Sequence, residues 1–178
     1  MLMIRIEDTK LLMKKLLFEG ETAFDAFLLS EAIIKMGQTF TIDGHINRDF
    51  YTDEDIEELK EEAVARNQVF DERMVRWAGV KSHALSIIKG RKTPLSFSII
   101  FYLSRENTDR FISRLSLSDN AILPDGLMLH LKYVDGILYA STGTSYPGFS
   151  LDKTIDKAWD DMVLKFFTSL EIAFEELS

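Results

Sequence analysis

Cysteine is absent from this 178-residue chain, which excludes disulfides and thiolate metal sites. A cytoplasmic protein fits that composition best. Histidine is nearly as scarce: His45, His83 and His130 fall on a hairpin, a helix and a strand, with no HExxH or paired-ligand spacing. No Gly-x-Ser-x-Gly elbow occurs, so the many serines lack the strained turn that exposes a nucleophile. Carboxylate pairs such as Asp160 and Asp161 are adjacent on a helix, where neighbouring positions point apart. No run of about 18 apolar residues is present for a membrane span. The start, Met1-Leu2-Met3-Ile4-Arg5-Ile6, meets charge too soon to read as a signal peptide. These absences leave no catalytic residues, no metal site and no cofactor to name, and imply no membrane.

What is present is a core and an uneven charge. Apolar residues make up 46% of the chain, and a single domain of this size buries roughly 70% of its unfolded surface. The net charge is −8, which at long range repels phosphate. Screening over about 8 Å makes local distribution matter more than the sum. Acids gather in Asp53, Glu54, Asp55, Glu57, Glu58, Glu61 and Glu62, and again in Asp152, Asp156, Asp160, Asp161, Glu171, Glu175 and Glu176. Bases gather in two short helices and in Lys89, Arg91 and Lys92.

Those helices belong to two stretches, about 100 residues apart, that follow one script of strand, short basic helix and hairpin. Lys10, Leu11, Leu12 and Lys14 fall opposite Arg110, Phe111, Ile112 and Arg114; Phe40 and Gly44 fall opposite Tyr139 and Gly143. The first unit reads as a strand over Leu2 to Ile6, a helix from Asp8 to Phe18, and strands Phe27 to Met36 and Thr39 to Ile46 about Gly37-Gln38. The second reads as a strand over Leu95 to Tyr102, then a helix, then Leu127 to Tyr133 and Ile137 to Ser141 about Asp135-Gly136, followed by a turn region from Thr142 to Gly148.

Between the units, Thr52 caps a helix whose apolar stripe runs through Ile56, Leu59, Ala63, Phe70, Met74 and Trp77. A shorter helix, Val80 to Ile88, follows. Lys89-Gly90-Arg91-Lys92-Thr93-Pro94 is not a phosphate loop, because Gly90 and Lys92 are not adjacent and a strand comes next. Its three bases are still candidates for an anion contact. From about Leu151 a last helix carries Ile155, Trp159, Met162, Phe166, Leu170 and Ala173 on a broad stripe. The expected architecture is α+β in one domain, 1–178. Repeat one covers about 1–50, a helical connection 52–90, repeat two about 93–150, and the C-terminal helix about 151–175.

The strings Thr39-Phe40-Thr41-Ile42-Asp43-Gly44, Ile88-Lys89-Gly90-Arg91-Lys92-Thr93-Pro94-Leu95, Thr142-Gly143-Thr144-Ser145 and Leu151-Asp152-Lys153, with Trp159-Asp160, resemble an uncharacterised bacterial family of unknown function. The doubled order of strand, helix and paired strands, with Leu129 to Tyr133, Asp135-Gly136 and Ile137 to Ser141, is also similar to the unit of DNA sliding clamps. In that family two units make one domain with its helices facing DNA. The resemblance implies two β-α-β-β repeats in an antiparallel sheet, and implies that Lys10, Lys14, Lys15, Arg105, Arg110 and Arg114 contact duplex DNA. Clamps assemble several such domains in a ring, so one domain per chain implies a homo-oligomer. The expectation is a noncatalytic binding or scaffolding protein. The alternatives are a protein interaction module that self-associates through Trp77, Trp159, Phe166 and Phe167, and an enzyme whose groups meet only in three dimensions.

Overall fold

The computed structural model describes residues 1–18 and 20–177. It is an α+β structure whose strands form one antiparallel sheet. In chain order its elements are β1 (Met3–Ile6), α1 (Thr9–Leu17), β2 (Leu28–Lys35), β3 (Thr39–Asp43), a 3-10 turn (Arg48–Phe50), α2 (Asp53–Ala65), α3 (Trp77–Ile88), β4 (Ser96–Tyr102), α4 (Arg105–Ile112), β5 (Gly126–Val134), β6 (Ile137–Ser145), α5 (Thr154–Ser169) and β7 (Phe174–Glu176). The seven strands lie in the order β3-β2-β4-β5-β6-β1-β7.

Local chemistry explains where these elements begin and end. The Asp8 carboxylate accepts from the Leu11 backbone N–H and starts α1, while Lys14 and Lys15 occupy the last turn, where cations suit the helix dipole. Thr52 and Asp55 form a reciprocal capping box that starts α2. Asp135 and Gly136, both at positive φ, make the two-residue turn between β5 and β6.

Strand register decides the layers. The partners Ile4 and Ala140, Leu131 and Ala140, Ile99 and Leu131, and Ala32 and Ile99 put one side chain each of β1, β2, β4, β5 and β6 on a common face. That face joins Leu12 and Leu16 of α1, Trp77 and Ala84 of α3, Phe111 of α4, and Trp159, Val163 and Phe167 of α5 in one buried cluster. At 25 cal/mol per Å² or so, such burial outweighs any single polar contact as the source of stability. The opposite face carries Arg5, Ile33, Ser98, Ile100, His130, Lys132, Val134 and Tyr139, none of which joins that cluster. The sheet is therefore a two-layer structure with α1, α3, α4 and α5 on one side.

Several expectations change. The stripe from Ile56 to Trp77 is not one helix: α2 stops at Ala65, and Asn67 turns the chain at φ 54°. Met74 and Val75 run extended instead, with Met74 bridging His45 and the Val75 N–H donating to the Gly44 carbonyl. Tertiary pairing overrides the helical spacing there. Gly44 is required at this crossing, since a Cβ on it would lie 1.9 Å from the Leu29 carbonyl oxygen. Thr142 to Ser145 extend β6 rather than forming a turn, because β5 continues opposite them to Gly126. The chain from Phe174 adds an edge strand on β1 after Glu171 reverses it at φ 59°. The order β-α-β-β occurs twice, but β1 pairs with β6 and β7 whereas β4 pairs with β2 and β5.

Candidate functional site

The bases of α1, of α4 with the turn after it and of the 89–94 connection are among the cations without an ion pair, a group that, among the described residues, also includes Lys35, Arg66, Lys132, Lys157 and Lys165. Arg5, Arg48, Lys60, Arg73, Arg76, Lys81 and Lys153 each have a carboxylate partner. Among the described residues, Lys10, Lys14, Lys15, Arg105, Arg110, Arg114, Lys89, Arg91 and Lys92 make no ion pair. A cation left without an internal partner is available to a ligand anion. Lys10 and Lys14 are one helical turn apart and share a face of α1, whereas Arg110 lies in the last turn of α4 and Arg114 in the turn that follows its end.

The structure brings some of these residues together and separates others. Lys14, Arg91 and Lys92 converge on a cleft of about 630 Å³ formed by α1, the end of α3 and the 89–94 connection. Lys14 and Lys15 also border a smaller hollow with Leu170. Arg110 and Arg114 line a different hollow with Met162 and Phe166 of α5. Lys10, Arg105 and Lys89 are exposed outside these hollows. A second cleft of similar size combines Arg66 and Arg76 with Glu21, Asp25, Glu62 and Asp71, so its acids outnumber its bases. Among the described residues the first cleft has no acid in its lining.

Acids on the helix side are partly occupied. Asp160 accepts from Thr142 Oγ1 and from the Leu2 backbone N–H, and pairs with the α-amino group. Asp156 accepts the Tyr146 hydroxyl at 2.9 Å. The acidic run of α2 remains exposed; its only partners are the capping interactions of its first turn, Arg48 on Asp53 and Lys60 on Glu57, among the described residues.

Sequence reasoning missed the polar ties that position these elements. Lys81 of α3 reaches both carboxylate oxygens of Asp25, at 2.8 and 2.9 Å, and the Gly20 carbonyl. Arg76 joins Glu106 of α4 to the Ala26 and Val69 carbonyls. Helical spacing carries no signal for contacts made across 30 or 56 residues. The apolar lining of the cleft was equally hidden, because Phe18, just past α1 and 59% exposed in the fold, reads in the sequence only as the end of a helix. The four aromatics named as self-association anchors serve the protein's own interior: Trp77, Trp159 and Phe167 are buried, and Phe166 packs edge-on against Phe24 at 5.2 Å.

The histidines do not meet. His45 pairs with Asp43 on the surface, His83 is exposed on α3, and His130 lies on the open sheet face with Nε2 2.8 Å from Ser98 Oγ. Among the described residues no group of three or more His, Asp or Glu side chains could hold a metal ion. Among the described residues no helix is long and apolar enough to cross a membrane.

Burial, with Lys132 nearby as a lesser cause, holds His130 below the ordinary imidazole range. The unfolded chain therefore binds more protons between the two pKa values, and stability falls as pH drops through about 6.5 toward the folded value. His130→Gln is expected to flatten the dependence of the urea midpoint on pH between 5 and 7; an unchanged slope would assign that dependence to other groups.

No curated protein and no solved structure matches this chain significantly. Across residues 15–175 the sequence matches the model of the Family of unknown function (DUF5721), and the chain belongs to that family.

Proposed function

We propose that the protein is a noncatalytic binding protein that contacts nucleic-acid backbone through the basic faces of α1 and α4. The observation that carries this reading is that both helices pack on the same side of the sheet while none of Lys10, Lys14, Lys15, Arg105, Arg110 and Arg114 has an internal ion-pair partner among the described residues. The reading is clamp-like in its mode of contact, a helix-bearing layer meeting phosphate. The repeated order of elements supports it, and surrounding a duplex would take several copies of this domain.

Net charge is not an obstacle at short range. The dense acids of α2 lie on an element that contributes nothing to the main core cluster, and two carboxylates of α5 are committed to internal hydrogen bonds. Contacts of this kind touch phosphate and not base edges, so binding is nonspecific and governed by counterion release. Six phosphate contacts predict a loss of about a thousandfold in affinity between 50 and 200 mM salt.

Fluorescence anisotropy with a labelled duplex at those two salt concentrations tests the proposal. Binding at 50 mM that collapses at 200 mM, and that Lys14→Glu with Arg114→Glu removes, is the expected result. Absence of binding at 50 mM salt, or indifference to the double charge reversal, defeats it. Both positions are exposed, so the variant is expected to fold normally.

A further inference from the structure

The cleft beside α1 has a chemistry that phosphate contact alone does not use. Its deeper lining is apolar: Leu17 and Phe97 are buried, Met13, Leu85 and Ile88 are half-buried, and Phe97 stacks on Tyr133 with ring centroids 5.3 Å apart. Its rim is cationic, with Lys14, Arg91 and Lys92 all exposed. Among the described residues the lining contains no carboxylate and no side-chain amide. Ligand sites of this volume are ordinarily apolar clefts with a few convergent polar groups.

We infer that this cleft binds a small anionic amphiphile, a single carboxylate or phosphate head on an aliphatic or aryl body. Each simpler ligand leaves part of the lining unused. An inorganic anion satisfies the rim and leaves the apolar floor in water. A neutral hydrocarbon fills the floor and forfeits charge-assisted hydrogen bonds to the three bases. A nucleobase against this floor meets the hydroxyls of Thr9, Thr93 and Tyr133 but, among the described residues, no amide or carboxylate side chain to pair its edge with two hydrogen bonds. Only a body that is apolar at one end and anionic at the other matches both layers. Lys14 is shared with the nucleic-acid reading, whereas Arg91, Lys92 and the apolar floor belong to this site, so the two proposals stand or fall separately.

Displacement of dansylundecanoate from the full chain tests it, with dodecanoate, dodecyl phosphate, dodecanol and inorganic phosphate as competitors. Dodecanoate or dodecyl phosphate is expected to displace the probe at least tenfold more tightly than dodecanol or inorganic phosphate, and the tighter of the two identifies the head group. Arg91→Gln with Lys92→Gln, both exposed, is expected to weaken the amphiphile by about tenfold or more without weakening dodecanol. Ile88→Glu, which puts a like charge on the floor, is expected to abolish probe binding while the circular dichroism spectrum is retained. The inference is overturned if dodecanol competes as well as dodecanoate, if the glutamine pair leaves amphiphile affinity unchanged, or if no amphiphile displaces the probe at about 1 mM, an affinity limit near −4 kcal/mol.

Discussion

Lys81→Met is expected to destabilise the protein by about 3–5 kcal/mol, because it removes one half of a sequestered ion pair. The Lys81 side chain is 10% exposed and that of Asp25 16%. The ammonium supplies both carboxylate oxygens of Asp25 and the Gly20 carbonyl, and Asp25 also accepts from the Thr22 N–H and hydroxyl. Without Lys81 the carboxylate keeps only the Thr22 donors while it stays largely out of water. The damage should spread to the following residues, since Phe24 and Phe27 enter the core from this same segment. A typical domain has about 5–15 kcal/mol in total, so the variant would lose a large share of its margin. Lys81→Met with Asp25→Leu should recover much of the loss in urea unfolding, because an apolar pair of similar shape strands no charge. A double variant as unstable as the single one would mean that the pair contributes more than the avoidance of an orphaned carboxylate.

Trp77→Ala is the second large effect, about 3–5 kcal/mol by the usual cost of emptying a core aromatic site. Trp77 is fully buried, meets Phe101 edge-on at 5.2 Å, and its indole N–H donates to the Leu16 carbonyl at 2.7 Å. That carbonyl belongs to the last turn of α1, where no intrahelical donor remains. One side chain therefore fills the core and completes the end of a helix that carries Lys10, Lys14 and Lys15. Trp77→Phe isolates the second role: it keeps an aromatic ring but leaves the carbonyl unpaired, at a cost of about 1–3 kcal/mol. Thermal unfolding of the two variants separates the contributions. Equal losses would show that the hydrogen bond, absent from both variants, governs the position, and a loss confined to Trp77→Ala would show that packing does.

How far these features could be read from the residues depends on how local their causes are. The β5–β6 hairpin was legible because Asp135-Gly136 and the alternation from Leu127 to Tyr133 act within a few residues. α1 and α5 were legible because each buries one stripe, Leu12 and Leu16 in the first, Ile155, Trp159 and Val163 in the second. Phe70 and Met74 misled because they matched a helical spacing while Met74 and its neighbour Val75 pair with the edge of the hairpin at His45 and Gly44. The position of β1 between β6 and β7 had no sequence signal, since a strand's alternation says which face is buried and not which neighbour it takes.

The site was legible in its charges and not in its shape. Unpaired bases could be suspected from Lys10, Lys14, Arg110 and Arg114 recurring at helical spacing. That Lys14 would share a cleft with Arg91 and Lys92, while Arg110 and Arg114 border a separate hollow against α5, depends on how the helices settle on the sheet. The acids give the same lesson, because the composition total treats Asp160 and Glu58 alike. In the fold Asp160 is bonded to Thr142 and Leu2, and Glu58 faces solvent.

Amide chemical-shift mapping during titration with a short DNA duplex at 50 mM salt is the most direct test of backbone contact by the helix layer. Perturbations should cluster in Thr9–Leu17 and Arg105–Ile112 and vanish as salt is raised. Shifts confined to the open sheet face around Arg5 and Lys132, or no shifts at all, would contradict the account.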